Sequence, residues 1–434
     1  MKKMLILSLL LIVSLAFTAC RGDDAADGGL VTVTIPHYKV GDNAGAQYFL
    51  PIVEGFNQRY EGRFHLIIEE LPQDMYTSQL RLLAPAGLLP ALVEGALDDT
   101  WFEEIIIGGN LFTDLRPHFR NLPVYQYFNP INYQHNLTAD GRLITVPNPI
   151  QRPMTMFYNE ALWQPSRPIA EMSWMDVARD LGSQRIAFMT ADNSWTTVLA
   201  LTSMIAAEPG GVALLNGYMS RQERMSDLNH PAIIGGFTTL QYLMSNHAQD
   251  NVIGANFSEA ANAFFNHNAA IICNGPWMIG DLGPAGAAAW HGPDFRSENV
   301  RASTHPGNIA LLNPIGYNWW IPNTVSEAEQ ELALHFLGYM FSLENMEFKM
   351  TIAGGLIPGF NYSQAFLNAR AEDRIMSEYT ASITPNTTIV APFFDVIVPS
   401  VAYDIGALLP LLIDGSMSPT DFVAELTRRT IAAS

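Results

Sequence analysis

The chain has 434 residues and a formal net charge of −19, with 48% apolar residues and only 15% charged ones. So apolar a chain forms packed cores and is not disordered. Its length exceeds the ~250–300 residues that one core holds, so two lobes are expected. Its acidity repels nucleic acid, which is excluded as a partner.

At the N-terminus, Lys2 and Lys3 precede an apolar stretch, Met4 to Phe17, broken only by Ser8 and Ser14. A membrane-spanning helix needs about 20 apolar residues, more than this stretch offers. It fits the apolar region of a secretory signal peptide covering residues 1–19. The following Thr18-Ala19-Cys20 resembles the lipobox of bacterial lipoproteins, although Phe17 stands where that pattern prefers Leu. The resemblance implies cleavage before Cys20 and lipidation of its thiol. The protein would then be extracytoplasmic and anchored to the cell membrane by its lipid. Residues 20–30, small and polar, read as a lipidated N-terminus and flexible tether. With Cys20 acylated, Cys273 is the one remaining thiol, so neither a disulfide nor a cysteine metal site can form. Its apolar neighbours make it a small core residue.

Past the tether, VTVTIPHY (31–38) alternates and is β-branched, as a strand does. YFLPIVEGFNQRY (48–60) has helical spacing, RFHLIIEEL (63–71) is a second strand, and a helix over 76–83 ends near Pro85 and Gly87. LPALVEGAL (89–97) is a third strand. Strand and helix alternate, which predicts a parallel sheet covered by helices. A helix follows Trp101. Residues 140–163 read as a hairpin or strand pair leading into Asn159, with Pro147, Pro149 and Pro153 marking a crossing between lobes. Ser173 caps a helix to Leu181. Further helices are predicted at 195–207, 231–247, 257–267 and 327–341, with a strand in GNIALLNP (307–314). Two helices, parted by Asp414-Gly415, close the chain over 400–431.

Enzyme motifs are absent: there is no G-x-S-x-G, P-loop, H-E-x-x-H or C-x-x-C. His118, His135, His247 and His267 lack metal-ligand spacing, and nothing calls for a cofactor. The carboxylate pairs Glu69-Glu70, Asp98-Asp99 and Glu103-Glu104 are of a kind normally solvated, which counts against a glycoside hydrolase. What stands out is aromatic residues at predicted strand ends: Trp101, Trp277, Trp319 and Trp320, with Tyr158 beside the crossing. Ligands of open α/β sheets sit outside the carboxyl ends of the strands. Flat aromatic faces there suit sugar rings, whose C–H patches stack while their hydroxyls hydrogen-bond.

The segment AFFNHNAAIICNGPW (263–277) resembles a motif, F-x-x-G-K-A-A-M-x-x-N-G-P-W, of the extracellular solute-binding proteins of ABC transporters, family 1, the group that includes maltose-binding protein. Asn268 replaces the common Lys. MTMFYNEALW, SWMDVARDL, FNQRYEGRFHLIIEEL, LLAPAGLLPALV (with Ala91 for the common Asp), GGNLFTDLRPHF, AGGLIPGF and LIDGSMSPTDFVAEL resemble its other motifs, in order, over nearly the whole chain. The resemblance implies a two-lobed α/β fold of the periplasmic-binding-protein type, with a ligand cleft between the lobes. It also implies a non-enzymatic, monomeric protein that delivers a mono- or oligosaccharide to membrane permease subunits. Lobe one is expected at 31–149 with 310–350, and lobe two at 150–309 with 351–434. Trp277, whose motif position commonly stacks on ligand, leads the candidate site. Tyr158, Arg152, Trp101, Asp98, Asp99, Tyr38, Asn43, Trp319, Trp320, Trp195 and Tyr403 follow. Because aromatic rings with acidic residues also make cation sites, a polyamine or quaternary amine remains an alternative solute, as does a phosphodiester.

Overall fold

The computed structural model describes residues 29–433, apart from 42–44, 96–100, 222, 284–291, 314 and 317. The signal segment and Cys20 lie outside the described residues.

Strand β1 (Val31–His37) pairs in parallel with β2 (Phe64–Glu70), with Val33 opposite Leu66. The period of two buries Val33 and Ile35, and it also carries a polar ring, His37, inside. Helix Ala46–Arg59 lays Phe49, Ile52, Val53 and Phe56 on this sheet. Their core is completed from far along the chain by Trp319, Phe336 and Met350. A satellite cluster beside it holds Tyr76, Phe102 and Trp320. Of the expected third strand, only β3 (Val93–Glu94) is in ladder form, antiparallel to β9 (Trp319–Trp320). Among the described residues its partner strand is two residues long.

The second lobe centres on a four-stranded sheet in the order β5 (Ile186–Ala187), β6 (Ile271–Asn274), β4 (Thr155–Asn159), β7 (Val300–Ser303). Here the expected parallel sheet is mixed: β4 runs antiparallel to β6 and β7. The expected hairpin over 140–163 is the single strand β4 preceded by isolated bridges. Pro147, Pro149 and Pro153 have no N–H to give a ladder. Every residue of β6 is buried, because helices cover both faces. Ile271 and Cys273 face the core that contains helix Trp195–Ala207. Ile272 faces a second cluster with Phe264 and Met376. Helix Trp195–Ala207 is buried from Thr196 to Ala206. Among the described residues no single helix is long and apolar enough to span a membrane.

The chain passes between the two sets of cores near 151–153, again near 312–318, and again near 367–374, as the core memberships on either side show. The first passage is bridged by Gln151–Leu356 and by Met154 with Leu311 of β8 (Ile309–Leu311). Lobe one does not end at 350, as expected: Ala353, Ile357, Phe360 and Phe366 still belong to its core. A break at 350 would have split the continuous helix Leu343–Ala353.

Phe237 is fully buried, its ring 4.7 Å from that of Phe422. Phe237→Ala is expected to cost about 3–5 kcal/mol in a urea titration. A loss below about 1 kcal/mol would contradict this packing.

Candidate ligand-binding site between the lobes

Strand β6 ends at Asn274, and the next three residues make the turn. The Asn274 amide clamps it: Oδ1 accepts from the Gly275 N–H at 2.7 Å, and Nδ2 lies 3.0 Å from Met278 Sδ. Pro276 starts the short helical turn Pro276–Met278, where a missing N–H is harmless. Gly275 leaves room for an indole. A Cβ there would lie 2.2 Å from ring atoms of Trp277. The ring is therefore folded back over the glycine. Partly buried, Trp277 touches the core of lobe one and both cores of lobe two. It is the meeting point of the halves.

Trp195, at the start of its buried helix, lies 6.1 Å from Trp277 and 5.2 Å from Phe257. On the other side, Gly354 and Gly355 carry positive φ values of 63° and 88°. A Cβ on Gly354 would meet Pro276 at 2.5 Å, and one on Gly355 would meet Arg152 Cγ at 2.6 Å. Glycine is required here for both reasons. Arg152 Nε donates to Gly354 O at 3.3 Å, while its Nη2 is buried with no partner.

Lobe one contributes the ends of β1 and β3. Glu94 forms an ion pair with Lys39. It also lies 3.0 Å from His37 Nε2 and accepts from Tyr38 Oη at 3.5 Å. His37 Nδ1 accepts the Lys39 backbone N–H at 2.9 Å, which leaves the proton of a neutral ring on Nε2. Burial lowers the His37 pKa further. Burial pushes the Glu94 carboxyl up, but the Lys39 ammonium and His37 overcome this and hold it well below the carboxylate range. Lys39 and Lys349 both lie by the Tyr48 ring, 5.7 and 5.1 Å from its centroid.

The structure thus joins Trp277, Trp195 and Arg152 through the Gly-Pro turn and the glycine pair, and sets Tyr38 beside Glu94. Tyr403, 40% exposed, lies at the outer edge, where burial and Asp192 raise its pKa and Arg81 of lobe one opposes them. Trp101 flanks the satellite cluster. The remaining candidates stand elsewhere. Trp319 is 1% exposed and stacked on His37 at 5.2 Å; Trp320 is 0% exposed, its Nε1 donating to Gly95 O. Neither has a face left for a ligand. Tyr158 is at the wrong end of its strand. Because β4 is antiparallel to β6, Thr155 sits opposite Asn274, and Tyr158 points to an outer hollow with Arg167 and Ile169. Asn43, Asp98 and Asp99 lie outside the described residues. Sequence reasoning missed Lys39, Glu94, Tyr48 and Lys349.

The model of the family "Bacterial extracellular solute-binding protein" matches residues 52–374. The chain belongs to this family. In structure, this family member is similar to a chitin oligosaccharide binding protein (17% identity, TM-score 0.71, covering 93% of this chain and 98% of that one). It is also similar to a Streptococcus pneumoniae solute-binding protein in complex with the blood group A-trisaccharide (16%, 0.69, 93% and 100%). A third is an ABC transporter solute-binding protein from Thermotoga lettingae bound with α-D-tagatose (16%, 0.70, 93% and 99%). These likenesses establish the two-lobed fold. No curated protein matches the chain in sequence.

Two outcomes are expected. Gly275→Ala should displace the indole, change the near-UV circular dichroism and cost about 1–3 kcal/mol; an unchanged spectrum would contradict the ring's placement. Glu94→Gln leaves Lys39 buried without its counter-charge and should cost about 3–5 kcal/mol. The folded-state pKa of Glu94 is depressed, so its stabilisation is complete above the unfolded value of 4.5 and is lost as pH falls below it. Stability measured from pH 7 downward should therefore fall less steeply below 4.5 in the variant. Equal slopes would contradict the pairing.

Proposed function

We propose that the protein is the lipid-anchored, extracytoplasmic binding component of an ABC importer. It takes up a mono- or oligosaccharide between its lobes and presents it to the permease, without catalysis. The observation that carries this reading is Trp277, a partly buried ring in contact with the cores of both lobes and with Trp195 alongside. Two indoles at such a seam offer apolar faces to the C–H side of a sugar. Arg152 Nη2, buried without a partner, has donors to spare for its hydroxyls, and the Lys349 ammonium, over the Tyr48 ring, is a further donor. The sugars carried by the similar structures support the same class. A ligand touching both lobes favours closure because it binds the closed form more tightly. Anchoring rests on Cys20 and its lipobox-like setting. The cations Lys39, Arg152 and Lys349 at the seam disfavour a polyamine or quaternary amine.

A thermal-shift screen of the purified protein against saccharides, polyamines and betaines tests this. A saccharide is expected to raise the midpoint increasingly as its concentration passes Kd, and Trp277→Ala should abolish the rise. A response to amines and to no saccharide would refute the assignment.

A further inference from the structure

Lysine is nearly absent from this chain: it occurs at positions 2, 3, 39 and 349, and every other basic residue is arginine. The two lysines beyond the N-terminus both lie near the ring of Tyr48, Lys349 buried and Lys39 with a side chain 12% exposed. Lys39 has Glu94 as its partner. Lys349 differs. It is 4% exposed, and its ammonium makes no hydrogen bond or ion pair with any described residue; its one contact of this kind is the aromatic face of Tyr48. Arg152 adds a buried Nη2 without a partner. Among the described residues, Lys39, Arg152 and Lys349 act on one another and on Glu94 here, while Asp281, a second buried carboxylate at the seam, is engaged by Gln47 at 3.2 Å. This happens in a chain with 42 acidic residues and 23 basic ones.

A desolvated ammonium with no ion-pair partner is costly, and Glu94, the carboxylate that acts on Lys349, is already paired with Lys39. Sugar hydroxyls can accept hydrogen bonds from these groups, but they do not neutralise them. We propose that the ligand is an acidic saccharide, a sugar bearing a carboxylate or phosphate that lies against Lys349 and Arg152 while Trp277 and Trp195 hold its ring. This rests on the carbohydrate reading above and narrows it. Burial, together with the charges of Arg152 and Lys39, depresses the Lys349 pKa, and an incoming anion reverses that effect.

The test is calorimetric titration of the purified protein with matched pairs: galacturonate and glucuronate, free and as short oligomers, against galactose and glucose in the same forms. Glucose 6-phosphate and a sugar-free glycerol phosphodiester complete the set. The acidic member is expected to bind at least roughly tenfold more tightly than its neutral partner, as charge-assisted bonds to a buried cation should. Lys349→Met should erase that preference. The same variant should raise the thermal midpoint of the ligand-free protein, since it removes a desolvated amine that Arg152 and Lys39 repel. Preference for uronate or for the sugar phosphate identifies the acid, and either supports the proposal. Neutral sugars binding as tightly as acidic ones would overturn it and leave the carbohydrate assignment intact. Binding of the phosphodiester alone, or of no saccharide, would overturn both. A lower midpoint in Lys349→Met would mark the lysine as structural and would also overturn it.

Discussion

A tryptophan that belongs to three cores belongs to neither lobe alone, and the rest of the arrangement follows from how that ring is held. Asn274 locks the turn by its own amide, Gly275 makes room for the indole, and Pro276 sets the helical turn that follows. Beyond the turn, two glycines with positive φ let the crossing at Arg152 approach Pro276. Remove the space at Gly275 or Gly354 and the halves can no longer meet around the ring. The cores themselves are ordinary, with strands buried on alternate faces and helices laid across them. The specificity of the molecule lies in the seam between them.

The seam also reverses the charge of the molecule. A chain of net charge −19 places Lys39, Arg152 and Lys349 at its centre. Lys39 and Glu94 neutralise each other, and His37 backs the carboxylate from the core as a neutral ring. Arg152 and Lys349 remain as donors. The acidic exterior repels anions at long range, whereas the interior attracts them within about a Debye length, ~10 Å at moderate salt. An acidic ligand would therefore bind through contacts made inside the cleft, with little help from long-range steering.

Much of the fold could be read before the structure. The helices Trp195–Ala207 and Pro231–His247 have the predicted bounds: the first is one predominantly apolar run, and the second starts at Pro231 behind the His230 cap. The Asn-Gly-Pro-Trp corner was legible from the Gly-Pro turn that ends the apolar run and from its resemblance to the family motif. Failures have a common cause: strand direction and pairing are tertiary facts. Tyr158 read as a strand-end aromatic, but antiparallel pairing turned its end away from the seam. Trp319 and Trp320 read as ligand aromatics, yet β9 pairs them with β3 inside lobe one. Conversely, Glu94 and Lys349 are 255 positions apart, and no local pattern links them. The scarcity of lysine was a usable signal, and it needed only a count.

The central claim is that a saccharide bridges the lobes at Trp277 and draws them together. The most direct measurement is the distance between spin labels on the two lobes. Leu82 and Ile253, 78% and 58% exposed, suit replacement by cysteine, because the native Cys273 is buried. With the saccharide that stabilises the protein, the Leu82→Cys/Ile253→Cys distance should shorten and its distribution narrow, and adding Trp277→Ala should prevent both. A distribution unmoved by a saccharide that demonstrably binds would contradict the account.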